Sequence, residues 1–225
     1  MVRRQAVAPR RAHFANHLVI MAKRPVMGRV KRRLARELGE VAALRFCRNC
    51  LLHTVLRLAK ERRWRISLAV DPDHAVAEPT WPAHRRVALL PQGKGDLGHR
   101  MQRLFERLPP GPVIVVGSDI PAMRPAHIAQ AFKLLGGVDA VLGETTDGGF
   151  WLIGLRRTPK VLRPFAGVRW SSPHALTDTL ASLDASRVAF AAVLSDVDTK
   201  SDLDQVRDGA QRLIVSDNMT RLPRV

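Results

Sequence analysis

Residues 21 to 34 read Met-Ala-Lys-Arg-Pro-Val-Met-Gly-Arg-Val-Lys-Arg-Arg-Leu, with six Lys or Arg and no acidic residue. The stretch follows a short apolar run, Leu18 to Ala22, and leads into a helical pattern. A cationic loop between a first strand and a first helix can hold phosphates. Backbone N–H groups and the helix N-terminus add to the side-chain charge. Lys23, Arg24, Arg29 and Lys31 can neutralise a diphosphate or triphosphate, and Gly28 permits close backbone approach. The loop is not a P-loop, which needs two glycines and Gly-Lys-Ser/Thr. Taken alone, such a run is more often a solvated face than a site.

Carboxylates supply the second clue. The apolar run Val113–Val116 ends in Gly117, Ser118 and Asp119, and Pro121 stops the strand. An Asp at a strand's carboxyl end can hold a divalent metal through a hard oxygen, or it can cap the following turn. Further on, Thr199 and Asp202 resemble a capping box. That explains Asp202 but leaves Asp198 at the carboxyl end of another apolar run. Asp119 and Asp198 can converge on one Mg²⁺ or Mn²⁺, which would keep several waters and bind nucleotide phosphates.

Two glycine-rich segments complete the set. Gln92-Gly-Lys-Gly-Asp-Leu-Gly98 opens a helix and leaves room for a flat base, a ribose or a phosphate; a plain surface loop is the alternative. Asp147-Gly148-Gly149 is good turn chemistry between two strands, or a floor for an acceptor with Asp147 receiving a hydroxyl. Cys47 and Cys50 form a C-x-x-C, but inside a helical pattern and without a second pair. Redox or zinc chemistry is disfavoured there, and small residues on a packed helix in a reducing, cytoplasmic compartment fit better.

Something must position these groups. Apolar runs at His17–Ala22, Trp64–Val70, Val87–Leu90, Pro112–Gly117, Val138–Gly143, Phe150–Leu155 and Arg187–Leu194 read as strands. Helical patterns fall at Val30–Glu37, Val41–Arg63, Leu97–Leu108, Ala126–Leu135, His174–Ser182 and Ser201–Arg212. The alternation predicts an α/β three-layer sandwich on a mostly parallel sheet, with a hairpin at 138–155. Ligands in such sheets lie at the carboxyl ends of strands. One domain over residues 17–215 is expected, between a basic tail (1–16) and a short C-terminal tail (216–225).

The formal net charge is +17, and it is uneven. Residues 1–65 hold 18 Lys/Arg against three acids, while residues 66–225 hold 19 against 17. A polyanion such as RNA or an anionic membrane is therefore a competing partner. Yet aromatics make up only 5%, Tyr is absent, and no basic–aromatic interleaving appears, which argues against specific nucleic-acid binding. No apolar run is long enough to span a membrane. The Arg-rich start lacks the apolar core of a secretory signal and fits a transit peptide only loosely.

Five segments together resemble a known bacterial family: 21–31, 92–101, 117–121, 147–149 and 196–199. It is the transferase family with a glycosyltransferase-A-like fold that is associated with radical-SAM/selenodomain proteins. Phospholactate and molybdenum-cofactor guanylyltransferases are more distant kin. The resemblance spans roughly Leu18 to Leu213 and implies a nucleotide-diphosphosugar-transferase-like fold. It also implies that Asp119 and Asp198 hold metal and that Lys31 and Asp119 are catalytic. Nucleotide contacts would come from Ala22, Lys23, Arg24, Gly28, Arg29, Lys31, Gln92, Gly95, Asp96 and Gly98, and acceptor contacts from Asp147, Gly148, Gly149 and Trp170. The chain departs from the family at Met27, Arg32, Phe150 and Ser172, where Pro, Thr, Tyr and Thr are usual. The expected activity is a metal-dependent transfer from a nucleotide substrate to a small-molecule acceptor. Nucleotidyl transfer to a phosphate or carboxylate is slightly favoured by the cationic loop, with glycosyl transfer from a sugar nucleotide as the alternative. A non-catalytic basic binding protein is the third reading.

Overall fold

The structure, a computed structural model, describes residues 14–157, 160–184 and 186–206. The expected tails therefore lie outside the described residues, except for Phe14, Ala15 and Asn16. Seven strands form one sheet: β1 (His17–Lys23), β2 (Arg65–Asp71), β3 (Val87–Pro91), β4 (Gly111–Gly117), β5 (Ala140–Glu144), β6 (Phe150–Arg157) and β7 (Val188–Phe190). Their spatial order is β3-β2-β1-β4-β6-β5-β7. Only β6 runs against its neighbours, β4 and β5.

Period-2 alternation on doubly buried strands explains how this sheet collects helices on both faces. Leu18, Ile20, Ile114 and Val116 point to one side, together with Ile66 and Leu68. There they meet α2 (Glu40–Ala59) through Leu51, Val55 and Leu58, and α4 (Pro125–Leu135) through Ile128 and Phe132. Val19, Val113, Val115 and Ile153 point to the other side, onto Met101, Leu104 and Phe105 of α3 (Leu97–Arg107). Leu176 and Leu180 of α5 (Ala175–Ala181) join that second layer. The α/β three-layer arrangement is the expected one.

Boundaries shift for local reasons. The first helix, α1 (Arg32–Leu38), starts two residues later than expected because Lys31 adopts a left-handed conformation, φ 45° and ψ 50°, outside the helical region. The loop expected at 71–82 contains a 3₁₀ turn, Asp73–Ala77. β7 is shorter than its apolar run, although Ala191 and Leu194 still donate backbone hydrogen bonds to Leu142 and Glu144. The last expected helix begins at residue 200 and is described through 206. Its capping box is present: Asp202 Oδ2 accepts from the Thr199 N–H at 2.7 Å, and Thr199 Oγ1 accepts from the Asp202 N–H at 3.3 Å. No helix among the described residues is long and apolar enough to cross a membrane.

The topology locates a site. From β1 the chain builds outward to β2 and β3, then returns to place β4 on the other flank of β1. Adjacent strands whose connections leave in opposite directions open a crevice at their carboxyl ends. The loop after β1 and the Ser118–Asp119 corner after β4 face that crevice.

Candidate functional site

At the centre of the crevice Lys31 Nζ lies 2.7 Å from Asp119 Oδ2, 2.6 Å from Asp198 Oδ1 and 3.9 Å from Asp196 Oδ2. Its side chain is only 8% exposed. Burial opposes the ammonium charge, but Asp119 and Asp198 overcome that penalty and raise its pKa above the ordinary lysine value. Oxygens of Asp119, Asp196 and Asp198 lie within 4.8 Å of one another, the one grouping of this kind among the described residues. Burial, then the charges of Asp119, Asp198 and Asp147, push the Asp196 carboxyl up to about 6 against the pull of Lys31. Hard oxygen donors brought together from the corner after β4 and the segment after β7 suit Mg²⁺ or Mn²⁺.

A cleft of about 990 Å³ opens above this cluster. Lys23, Arg29, Lys31, Arg32 and Arg33 line it, facing Asp119, Asp147, Asp196 and Asp198. A smaller recess of about 140 Å³ shares Asp119, Asp147 and Asp196 with the cleft and continues past Thr145, Ile120 and Trp151. The cleft is therefore cationic along the first loop and acidic at the β4, β5 and β7 ends.

Several expected nucleotide contacts stand outside the cleft lining. Arg24 turns away from Lys23 to pair with Glu78, as neighbouring residues leaving a strand point to opposite sides. Ala22 is buried in the core. Gln92 is buried as well, and its amide donates to the carbonyls of Ala22 at 3.2 Å and Ala69 at 2.8 Å, tying three strands together. Asp96 caps α3 by accepting from the His99 N–H at 2.8 Å. The Gly95 carbonyl accepts from Arg100 at 2.9 Å. Gly28 has φ +72° beside Glu40, which makes it a turn residue of the first loop.

The expected acceptor residues gather around the β5–β6 hairpin. Asp147 Oδ1 accepts from the Thr145 hydroxyl and from the Gly149 N–H, holding the turn. Trp170 forms a cleft wall edge-on to Phe150, with ring centroids 6.2 Å apart. Gly98 supports that wall without reaching the cleft. A Cβ there would sit 2.8 Å from the Trp170 ring and 2.9 Å from Phe165 Cβ. Gly98→Ala should cost about 1–3 kcal/mol by overpacking, read as a lowered Tm with changed Trp fluorescence; unchanged values for both would mean that the wall is not packed on α3.

Three charged lining residues were not among the expected contacts. Asp196 is absent from the expected ligands; it stands two residues before Asp198 in the Asp-x-Asp segment, and both carboxylates reach Lys31. Arg32 and Arg33 read as the solvated face of the first helix. As the first two residues of α1 they line the cleft, Arg33 while remaining largely exposed. The C-x-x-C packs within α2, and burial pushes the Cys50 thiol up to about 12 and the Cys47 thiol above its ordinary value, the reverse of an activated thiolate.

The profile of a family described as "Uncharacterized protein conserved in bacteria (DUF2064)" matches residues 54–172. That span includes Asp119, Asp147 and Trp170 and leaves out the first loop and Asp198. A candidate nucleotide-diphospho-sugar transferase from Desulfovibrio desulfuricans G20 superposes with TM-score 0.78 at 26% identity, over 85% of each chain. The 4-diphosphocytidyl-2C-methyl-D-erythritol synthase of Anaerococcus prevotii superposes at 0.59 with 10% identity, over 88% of this chain and 98% of that one. A CMP:2-keto-3-deoxy-manno-octonic acid synthetase bound to CTP superposes at 0.53 with 14% identity, over 88% and 99%. The last two likenesses concern the fold alone. A search of the curated proteins finds no match.

Proposed function

We propose that this chain, which belongs to the DUF2064 family of proteins conserved in bacteria, is a divalent-metal-dependent transferase acting on a nucleotide substrate. One observation carries the reading: Asp119, from the corner after β4, and Asp198, from the segment after β7, converge with Asp196 at the crevice beside β1, under a cationic loop. Asp119 and Asp198 would hold the Mg²⁺ or Mn²⁺, with Asp196 beside them. Such an ion neutralises phosphate charge and orients a leaving group.

The chain's own residues do the rest. Lys23, Arg29, Arg32 and Arg33 bind the phosphates and stabilise the charge that grows on the leaving group as its bond breaks. Asp147 and the Trp170 wall orient the acceptor. In nucleotidyl transfer an acceptor oxygen bonds to the α-phosphorus, the α–β bridging bond breaks, and pyrophosphate leaves. Five cations along the cleft suit that leaving group, and the two cytidylyl-named neighbours share the fold. Glycosyl transfer is the second reading, in which an acceptor hydroxyl displaces a nucleoside diphosphate from a sugar. The likeness to the Desulfovibrio protein favours it. The narrower kinship with the radical-SAM/selenodomain-associated group rests on the five sequence segments. A purely RNA- or membrane-binding protein would leave the carboxylate cluster without a role.

Thermal shift against nucleoside triphosphates and sugar nucleotides, with and without Mn²⁺, tests this directly. A ligand at a hundred times its Kd adds about 2.7 kcal/mol, which for a chain of this size raises Tm by about 5–11 °C. Dependence of the shift on Mn²⁺ is the expected result. No metal-dependent shift with any nucleotide overturns the proposal, and the released product, pyrophosphate or nucleoside diphosphate, separates the two chemistries.

A further inference from the structure

We propose that Lys31 is the site's own counter-ion and competes with the divalent metal, so that metal and substrate phosphate enter as a coupled pair. The inference rests on the assignment of Asp119 and Asp198 as metal ligands.

Lys31 Nζ lies 2.7 Å from one of those carboxylates and 2.6 Å from the other, with Asp196 at 3.9 Å. An octahedral Mg²⁺ needs oxygens at about 2.0–2.1 Å. An ammonium already in hydrogen-bond contact with both carboxylates stands where that ion must come. The side chain is packed in that position. It is 8% exposed, and it leaves a left-handed backbone position that aims it at the carboxylates. Strained conformations of this kind persist where the surroundings hold them, and they gather at functional sites.

Consider each ligand alone. A metal that displaces Lys31 leaves a largely buried ammonium without a partner, in a cleft that Lys23, Arg29, Arg32 and Arg33 already make cationic. An unpaired buried charge is strongly unfavourable. A phosphate arriving alone finds Lys31 engaged and meets the field of Asp119, Asp196 and Asp198. When both arrive, the metal takes the carboxylates and the phosphate takes Lys31. Each ligand then removes the cost of binding the other, which is positive coupling, and linkage makes it reciprocal.

The test uses Mn²⁺ and inorganic pyrophosphate on the full chain, with bound Mn²⁺ followed by electron paramagnetic resonance and Mn²⁺–pyrophosphate complexation corrected from protein-free controls. In the native protein saturating pyrophosphate should tighten Mn²⁺ binding about tenfold or more. Mn²⁺ should tighten pyrophosphate binding by the same factor; this reciprocity needs no variant. Lys31→Gln should bind Mn²⁺ alone about tenfold more tightly than the native chain, with a coupling factor about tenfold smaller, since only the direct metal–phosphate contact remains. Circular dichroism checks its fold. If Mn²⁺ binds both proteins equally, or the coupling survives undiminished in Lys31→Gln, the competition is refuted while the metal site stands, provided that Asp119→Asn still weakens Mn²⁺. If Mn²⁺ binds neither protein, or ignores Asp119→Asn, the metal assignment falls and takes the proposal with it. Pyrophosphate binding that needs Lys31 but is indifferent to Mn²⁺ also refutes the coupling, since the lysine then replaces the metal outright.

Discussion

Asp119→Asn is expected to abolish metal-dependent nucleotide binding while leaving the protein folded. The amide keeps the size of the side chain but removes the charge that a divalent ion needs. Asp119 is part-exposed, with 36% of its side chain accessible. Lys31 keeps its 2.6 Å contact to Asp198 in the variant. The unliganded protein should therefore lose only about 1 kcal/mol, as for a partly solvated ion pair. The Mn²⁺–nucleotide shift should shrink from about 5–11 °C to almost nothing. Once the acceptor is known, turnover should fall about 10²–10³-fold, the usual cost of losing a group that stabilises developing charge. A variant that keeps the full Mn²⁺-dependent shift would remove Asp119 from the site.

Gly148→Ala should cause the largest loss of stability among the substitutions considered. Gly148 has φ +84°, and a Cβ there would stand 2.3 Å from the Pro173 carbonyl oxygen and 2.8 Å from its Cα. Backbone cannot swing aside as a side chain can. The Gly148 carbonyl also accepts from the Leu176 N–H at 3.1 Å, so hairpin and α5 are joined at this spot. Left-handed strain and overpacking together cost about 2–5 kcal/mol, a fall in Tm of roughly 4–20 °C. Gly167→Ala is the control: its φ is +72°, but nothing lies within 4 Å of its Cβ position. Strain alone predicts about 1–2 kcal/mol there. If calorimetry finds the two variants equal, the hairpin does not press on Pro173.

The seven strands were legible in sequence because each apolar run is bounded by turn residues, and the central runs are buried on both faces. The capping box at Thr199 and the Asp-Gly-Gly hairpin were legible because their chemistry is complete within five residues. That Asp119 and Asp198 meet in space was foreshadowed by their places after separate apolar runs, with Asp202 accounted for as a cap. Each of these signals is local.

What stayed hidden depends on contacts between distant segments. Arg24 and Lys23 are adjacent cations in sequence; only the position of Glu78 sends one to an ion pair and leaves the other on the cleft. Gln92 read as a loop residue free for a ligand, and the approach of β1 and β2 turns its amide inward. Gly98 looked like space for a base, and Trp170, seventy-two positions later, fills that space. The first loop shows the division most clearly. Its amino acids determined that it is cationic and lies after the first strand, because charge and hydrophobic period belong to the chain itself. That Lys31 points inward among three carboxylates, while Arg32 and Arg33 face the cleft, was decided only by the folded molecule. The reason is electrostatic: a buried ammonium stays where opposite charges from other elements compensate its lost hydration, and the fold alone brings those charges together.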